Sequence, residues 1–438
     1  MRMHVKALYL LAAVVPPCSA ADKLPTAQTY RRLADDIEKH WTKEVLPIWF
    51  PRCIDQQHGG FSPHFLEDWS KGTQSQKTIV FQSRMTWVCA QVAMRYPELK
   101  AQHLKYTRHG LDFLEGTMWD KQEGGFFWGL DESGKLPADD AAEKHLYGIA
   151  FGIYAASAAC EATKEDRALD LAKRAFVWLD RHAHDQANGG YYEALTRAGQ
   201  PVLSPPRGRT MDAIGTAYGR KSMNSHIHLL EALAALHHAW PDGQVETRLR
   251  EVFLLVRDRI AAKPGYLNLF FTPDWRPVSD QDSFGHDVET AYLLLEAAAE
   301  LKQPEDPKTL DVARALVDHA LTWGWDEKLG GFYDHGRPST AASGREKIWW
   351  TQAEGLNALL LMHERFGSQS PRYFQAFLKQ WDFIVKYQLD HRHGEWYEIV
   401  GPDGRARPGQ AKATVWKAAY HNGRALMNVA EMLRRLAR

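Results

Sequence analysis

Cysteine is scarce in this chain, with four in 438 residues. Cys18 falls in an N-terminal leader, and Cys53, Cys89 and Cys160 form an odd, sparse set inside apolar segments. A disulfide framework is therefore excluded as the source of stability. An excess of one charge is also lacking. Lys plus Arg total 54 and Asp plus Glu total 54, which leaves no electrostatic footprint for nucleic acid or an anionic membrane. No apolar run reaches the ~18 residues that would suggest a bilayer span. Low complexity is missing as well, because 16 Trp and 18 Phe demand a packed core. Such aromatic content also suits a protein that stacks the flat, partly apolar faces of sugars.

Residues 1–20 read as an export signal and 21–438 as one catalytic domain. Arg2, His4 and Lys6 precede the apolar stretch Ala7 to Val15, Pro16-Pro17 ends it, and small residues at Cys18 and Ala20 place cleavage after Ala20. The prolines stand where a lipoprotein signal needs small or branched residues, which argues against acylation of Cys18. The expected mature protein is exported, periplasmic or secreted, and not inserted in a membrane.

A Gly-aromatic signature recurs: His58-Gly-Gly-Phe61, Glu123-Gly-Gly-Phe-Phe127, Asn188-Gly-Gly-Tyr-Tyr192, Leu329-Gly-Gly-Phe-Tyr333 and His393-Gly-Glu-Trp-Tyr397, with a degenerate copy at Pro264-Gly-Tyr-Leu267. Counted from Gly59, Gly124, Gly189, Gly265, Gly330 and Gly394, the spacings are 65, 65, 76, 65 and 64 residues. A fixed period along the chain means one repetitive architecture. Each marker reads as a tight turn opening a short strand. Between markers lie an amphipathic helix, such as Arg167–Asp185 or Pro307–Thr322, and one that is apolar nearly all round. The second kind is expected at Phe81–Met94, His145–Glu161, Asn224–Trp240, His286–Glu300, Trp349–His363 and Trp416–Leu433. Six enclosed and six amphipathic helices in alternation predict an all-α (α/α)6 barrel with short β-hairpin turns. The alternative, an open solenoid, would need polar capping repeats, and neither end resembles one.

The enclosed helices each begin with polar or aromatic residues that burial alone does not explain. These include Gln82-Ser-Arg84, Lys144-His-Leu-Tyr147, Asn224-Ser-His-Ile-His228, His286-Asp-Val-Glu289, Trp349-Trp-Thr-Gln-Ala-Glu354 and Trp416-Lys-Ala-Ala-Tyr-His421. In an alternating barrel all inner helices run the same way, so these clusters meet at one rim with the positive helix ends. His286 and Glu289 share a face, as do Trp350 and Glu354. His226 and His228 point about 200° apart, so only His228, with Asn224 one turn earlier, can face the axis. That spacing speaks against a metal centre at the His-Ile-His. Trp323, Trp325, Trp381 and His391 are expected to pack between helices.

Five of these segments resemble the N-acylglucosamine 2-epimerase superfamily, and within it the cellobiose 2-epimerases. They are Phe-Gln-Ser-Arg-Met-Thr-Trp, Asn-Ser-His-Ile-His-Leu-Leu-Glu-Ala, Phe-Gly-His-Asp-Val-Glu-Thr-Ala-Tyr-Leu-Leu, Trp-Trp-Thr-Gln-Ala-Glu and Trp-Lys-Ala-Ala-Tyr-His-Asn-Gly-Arg, in the family's order and spacing. The resemblance runs from about residue 30 to residue 436. Ala418-Ala419 departs from the Cys-Pro or similar pair usual there, and many members are cytosolic.

The resemblance implies inversion at C2 of the reducing-end aldose of a β-1,4-linked disaccharide, without metal or redox cofactor. Ring opening exposes an aldehyde that acidifies the C2 hydrogen, and a cis-enediol forms and is reprotonated from the other face. His286 and His421 fit the acid–base pair, since imidazole alternates readily between the two roles. Glu289 would hold the tautomer of His286. Arg84, with Asn224, would stabilise charge at O1 and O2. His228 and Tyr147 would bind ring hydroxyls or the opened carbonyl, Trp350 and Trp416 would stack on sugar faces, and Glu354 would bond hydroxyls. The partner is a small sugar, and the expected state is a monomer or weak homodimer. Three alternatives remain at this level. One is an aldose–ketose isomerase or monosaccharide 2-epimerase using the same enediol. Another is a glycoside hydrolase or lyase using Glu289 and Glu354, and the last is a non-catalytic sugar-binding protein.

Overall fold

The computed structural model describes residues 25–136 and 143–438. The expected export signal, Cys18 and the cleavage position after Ala20 lie outside the described residues. Among the described residues the helices are α1 (Ala27–Lys39), α2 (Leu46–Trp49), α3 (Ile79–Arg95), α4 (Lys100–Phe113), α5 (Leu146–Thr163), α6 (Asp166–Ala183) and α7 (Met223–Ala239). They continue with α8 (Gly243–Leu255), α9 (Phe284–Glu300), α10 (Pro307–Trp323), α11 (Trp349–Phe366), α12 (Arg372–Phe383) and α13 (Tyr420–Leu436).

Hydrophobic pattern sorts them into two rings. In α5 every residue from Leu146 to Ala159 is buried, as an enclosed helix requires. In α6 burial is confined to a stripe through Ala168, Leu171, Ala172, Ala175, Phe176 and Leu179, and charged residues face outward. The inner helices α3, α5, α7, α9, α11 and α13 touch in sequence, and α13 meets α3 again. That last contact closes the (α/α)6 barrel and disposes of the open solenoid. The outer helix α1 packs on α13, so the first and last helices seal the ring together.

Five Gly-aromatic turns are built on a buried ion pair that the pattern reading missed. Lys77 meets Asp55 at 2.7 Å, Lys144 meets Asp120 at 3.1 Å, and Lys221 meets Asp185 at 2.7 Å. Lys347 meets Asp326 at 2.7 Å, and Lys412 meets Asp390 at 2.6 Å. Each aspartate stands four residues before the first marker glycine. Lys77, Lys221 and Lys347 also donate to the carbonyls of Gly59, Gly189 and Gly330, so the ammonium is bonded from two sides. Burying a charge is tolerable only with such partners. Where the fifth full marker replaces its second glycine by Glu395, that residue still adopts φ 60°. Its buried carboxylate, bonded to Lys417 and Asn422, offsets the strain of a left-handed non-glycine.

Two-residue strands link the repeats. The strand just before each of α3, α5, α7, α9 and α11 pairs with the strand after a later turn, as in Lys77–Thr78 with Gly129–Leu130 and Lys144–His145 with Ala194–Leu195. Local bridges such as Ile54 with Phe61 and Trp119 with Phe126 supply the expected hairpins. One boundary and one packing position differ from expectation. Helix α13 begins at Tyr420, because the Thr414 hydroxyl accepts from the Trp416 and Lys417 amides and folds that segment into a turn. His391 is exposed in a turn and donates to the Val385 carbonyl, so it does not pack between helices.

Candidate active site

The N-terminal ends of the inner helices surround a cavity of about 300 Å³. Arg84, Tyr147, Asn224, His228, His286, Glu289, Trp350, Trp416 and His421 all line it, joined by Ile214 and Trp349. Nine residues singled out in the sequence thus converge, and Glu354 alone lies behind the wall. Ile214 escaped notice because it sits in a loop rather than at a helix start, within the one interval that is 76 residues long.

On α3, the Arg84 guanidinium donates to the Tyr147 hydroxyl at 3.0 Å and to the Trp416 carbonyl at 3.1 Å. It lies over the Phe151 ring at 4.6 Å, a contact that fixes a planar cation in a dry place. Burial pushes the Tyr147 phenol up to about 12, so it acts as a hydrogen-bonding group and stays un-ionised. On α7, His228 faces the cavity, with Nδ1 3.1 Å from Glu231 Oε2. His226 points away, accepting from the Tyr191 amide and donating to the Ser222 carbonyl. The helical geometry that separated the two is confirmed.

The two histidines at the heart of the reading both pack against Trp350. Ring centroids are 4.7 Å apart for His286 and Trp350, and 5.8 Å for Trp350 and His421. Gly285 permits this, since a Cβ there would fall 2.5 Å from Trp350 Cη2. Burial drives the His286 imidazole down to about 3, and burial with the Arg84 and Arg424 charges drives His421 far below its ordinary value. Both rings are therefore neutral, and able to accept a proton, at physiological pH.

Their partners are not those expected. His286 Nδ1 bonds Ser283 Oγ at 2.8 Å, and Glu289 is drawn away by Arg424 Nη2 at 2.6 Å. Glu354 bonds no substrate-facing space, because it is fully buried and its Oε1 takes His421 Nδ1 at 2.8 Å. The same oxygen accepts from Arg424 Nη2 at 2.8 Å. Arg424 also donates to Glu231 and to the Tyr420 hydroxyl. One buried guanidinium thus binds three carboxylates, and two of them hold site histidines. Burial raises Glu354 to about 6 and also raises Glu289, whereas Glu231, despite its burial, is held at about 2 by Arg424 and His228.

This arrangement sorts the chemistries. Glu289 and Glu354 share one nitrogen of Arg424, so they stand side by side and do not flank a glycosidic bond. Donor atoms of Glu289, Glu354 and His421 lie within 4.8 Å of one another, but the Arg424 cation already occupies that carboxylate pair. What the cavity offers is two neutral imidazoles, an arginine beside a phenol, and indole walls.

Comparison with known proteins agrees. Residues 59–425 match the family model of N-acylglucosamine 2-epimerase. A cellobiose 2-epimerase of Bacteroides fragilis is 30% identical over 395 residues, covering 90% of this chain and 97% of that protein. The structure of cellobiose 2-epimerase from Spirochaeta thermophila superposes with a TM-score of 0.83 at 29% identity, covering 94% of this chain and 99% of that one. A D-mannose isomerase of Marinomonas mediterranea is 26% identical over 418 residues, covering 91% of this chain and 97% of that protein. The chain belongs to the N-acylglucosamine 2-epimerase family of sugar epimerases and isomerases.

Proposed function

We propose that the protein inverts C2 of the reducing-end aldose of a β-1,4-linked disaccharide of the cellobiose or mannobiose type, after export from the cytoplasm. The observation that carries the reading is that His286 and His421, on different inner helices, both pack against Trp350 and line one cavity. His228, backed by Glu231, is suited to move the O1 proton to the ring oxygen and open the pyranose. One neutral imidazole then takes the C2 proton, leaving an enediolate whose charge on O1 and O2 faces Arg84 and Asn224. The other imidazole, neutral in the resting site, must first take up a proton from solvent; it returns that proton to C2 from the opposite face, and each turnover exchanges the protonation states of the pair. Glu354 stabilises the imidazolium form of His421. Ser283 can accept from or donate to His286 Nδ1, so His286 can present its other nitrogen as base or acid. No step calls for a metal or redox cofactor.

Similarity to D-mannose isomerases supports a second reading, in which the enediol is reprotonated at C1 and a ketose forms. Incubation with cellobiose, mannobiose, mannose and glucose in D2O, followed by NMR, separates them. Deuterium at C2 of an aldose product supports epimerisation, and a ketose labelled at C1 replaces it with isomerisation.

A further inference from the structure

Four inner helices, α3, α5, α7 and α11, carry a buried lysine two residues before their first turn. At α9 that position is Asp282, and the place of the partner aspartate, four residues before Gly265, is Ala261. The repeat has therefore exchanged a lysine–aspartate pair for an acid with no lysine. Asp282 is fully buried, and neither carboxylate oxygen has a hydrogen-bond partner among the described residues. Beside it stands Asp287, also fully buried, whose Oδ1 accepts the Leu267 amide at 3.1 Å.

His319, from the outer helix α10, completes the cluster. Its Nδ1 lies 3.2 Å from Asp287 Oδ2 and 3.5 Å from Asp282 Oδ2. The donor atoms of all three residues fall within 4.8 Å of one another, a spacing that could suggest a metal. The tautomer opposes that reading. His319 Nε2 accepts the Ser339 amide at 3.1 Å, so Nδ1 bears the ring proton and donates it to Asp287 Oδ2. Tyr266 packs against His319, and the paired strand brings His335, exposed and bonded to Asp334. Among the described residues, the ion-pair contacts of Asp282 and Asp287 are with His319 alone. Two ionised carboxylates in such a place would repel each other in a dry surrounding.

We propose that Asp282 and Asp287 share one proton, which serves at this repeat where an ammonium serves at the others, and thereby holds Ser283 against His286. Ser283 follows Asp282 directly, and its hydroxyl bonds His286 Nδ1 at 2.8 Å. The two aspartates are positioning residues, acting through Ser283. Burial and the Asp287 charge push Asp282 up to about 8. The positioning half rests on His286 being a catalytic acid–base group, whereas the shared proton does not.

Two measurements need no substrate. The infrared difference spectrum of wild type minus Asp282→Asn at neutral pH should show a protonated carboxylic acid band, above the absorption that other buried carboxyls such as Glu354 give in both. Thermal unfolding should show the wild type losing stability relative to Asp282→Asn as pH rises from the ordinary aspartate range toward about 8, levelling off above it. The sign follows because the folded state holds a proton that the unfolded state has released. Asp287→Asn is the second variant should the first fail to fold. An unchanged infrared band, parallel pH dependences, or stoichiometric metal in the purified protein that Asp282→Asn removes would overturn the shared proton. The third measurement is activity against pH, each profile normalised to its own maximum. Wild type should decline above about pH 8 and Asp282→Asn should not. Identical profiles alongside a confirmed shared proton would overturn the positioning role.

Discussion

His421 Nδ1 lies 2.8 Å from Glu354 Oε1, and that carboxylate has no access to the cavity it serves. A charged acceptor behind an imidazole fixes its tautomer and stabilises the imidazolium formed when the outer nitrogen takes a proton. Glu354→Gln keeps the shape and removes the charge. We expect kcat to fall about 10–100-fold with KM little changed, the scale seen when a partner behind a working histidine is lost. The acid limb of the pH profile should move to lower pH, since the lost carboxylate charge favoured the protonated ring. Unaltered kcat would show that the carboxylate does not act through His421.

His286→Asn and His421→Asn should each lower turnover by at least about a hundredfold, the size of lost general acid–base catalysis. Both residues border the cavity, so circular dichroism and unfolding temperature should stay close to wild type. A variant that folds and retains near-normal epimerisation removes that residue from the mechanism.

Ser283 and Glu289 separate two accounts of His286. Helical spacing favours Glu289, while the structure gives the bond to Ser283 at 2.8 Å. Ser283→Ala should therefore lower kcat by about tenfold, near the lower end for a lost partner behind a working histidine. Glu289→Gln should act instead on Arg424 and the cavity wall, showing mainly in KM and stability. Loss of kcat confined to the Glu289 variant would restore the spacing-based pairing.

What the sequence could and could not show follows from the range of the interactions. The period of about 65 residues and the apolar inner helices are local patterns, and they sufficed for the barrel. Residues such as Arg84, Asn224 and His421 stand out because polar groups at the heads of apolar helices need a reason. Partner choice is another matter. Arg424 reaches Glu231, Glu289 and Glu354 on three other helices, the first of them 193 residues away, so neighbours along one helix misassigned both Glu289 and Glu354. The repeated lysine–aspartate pairs did have a local signal, an aspartate four residues before five of the six glycine turns and a lysine two before four of the inner helices. It passed unread because single charges in turns ordinarily look solvated.

Activity should survive exhaustive treatment with EDTA. Arg424 supplies the fixed positive charge on Glu289 and Glu354, and each proton transfer has an imidazole available. Abolition by chelator with rescue by one divalent ion would convert the histidines into ligands and end the acid–base assignment.

Trp416 bears on substrate length. It sits in the turn before α13, 38% exposed, with its carbonyl held by Arg84. Its ring centroid lies 6.3 Å from that of Tyr147 and 6.2 Å from that of Trp128, so the indole extends the aromatic wall outward from the reacting centre. A sugar linked to the reacting aldose must pass this rim, where a flat apolar face can stack on it. Trp416→Ala should reduce kcat/KM on a β-1,4 disaccharide by about 1–3 kcal/mol, the scale of a lost buried aromatic contact. Loss on a monosaccharide should be smaller, because nothing then occupies the rim. The anchor for Arg84 is the backbone carbonyl of residue 416, which the substitution keeps, so the reacting end should be little disturbed. Equal losses on both substrates would place Trp416 at the reacting sugar, and a wild-type preference for free mannose over every disaccharide offered would replace the disaccharide reading with a monosaccharide one.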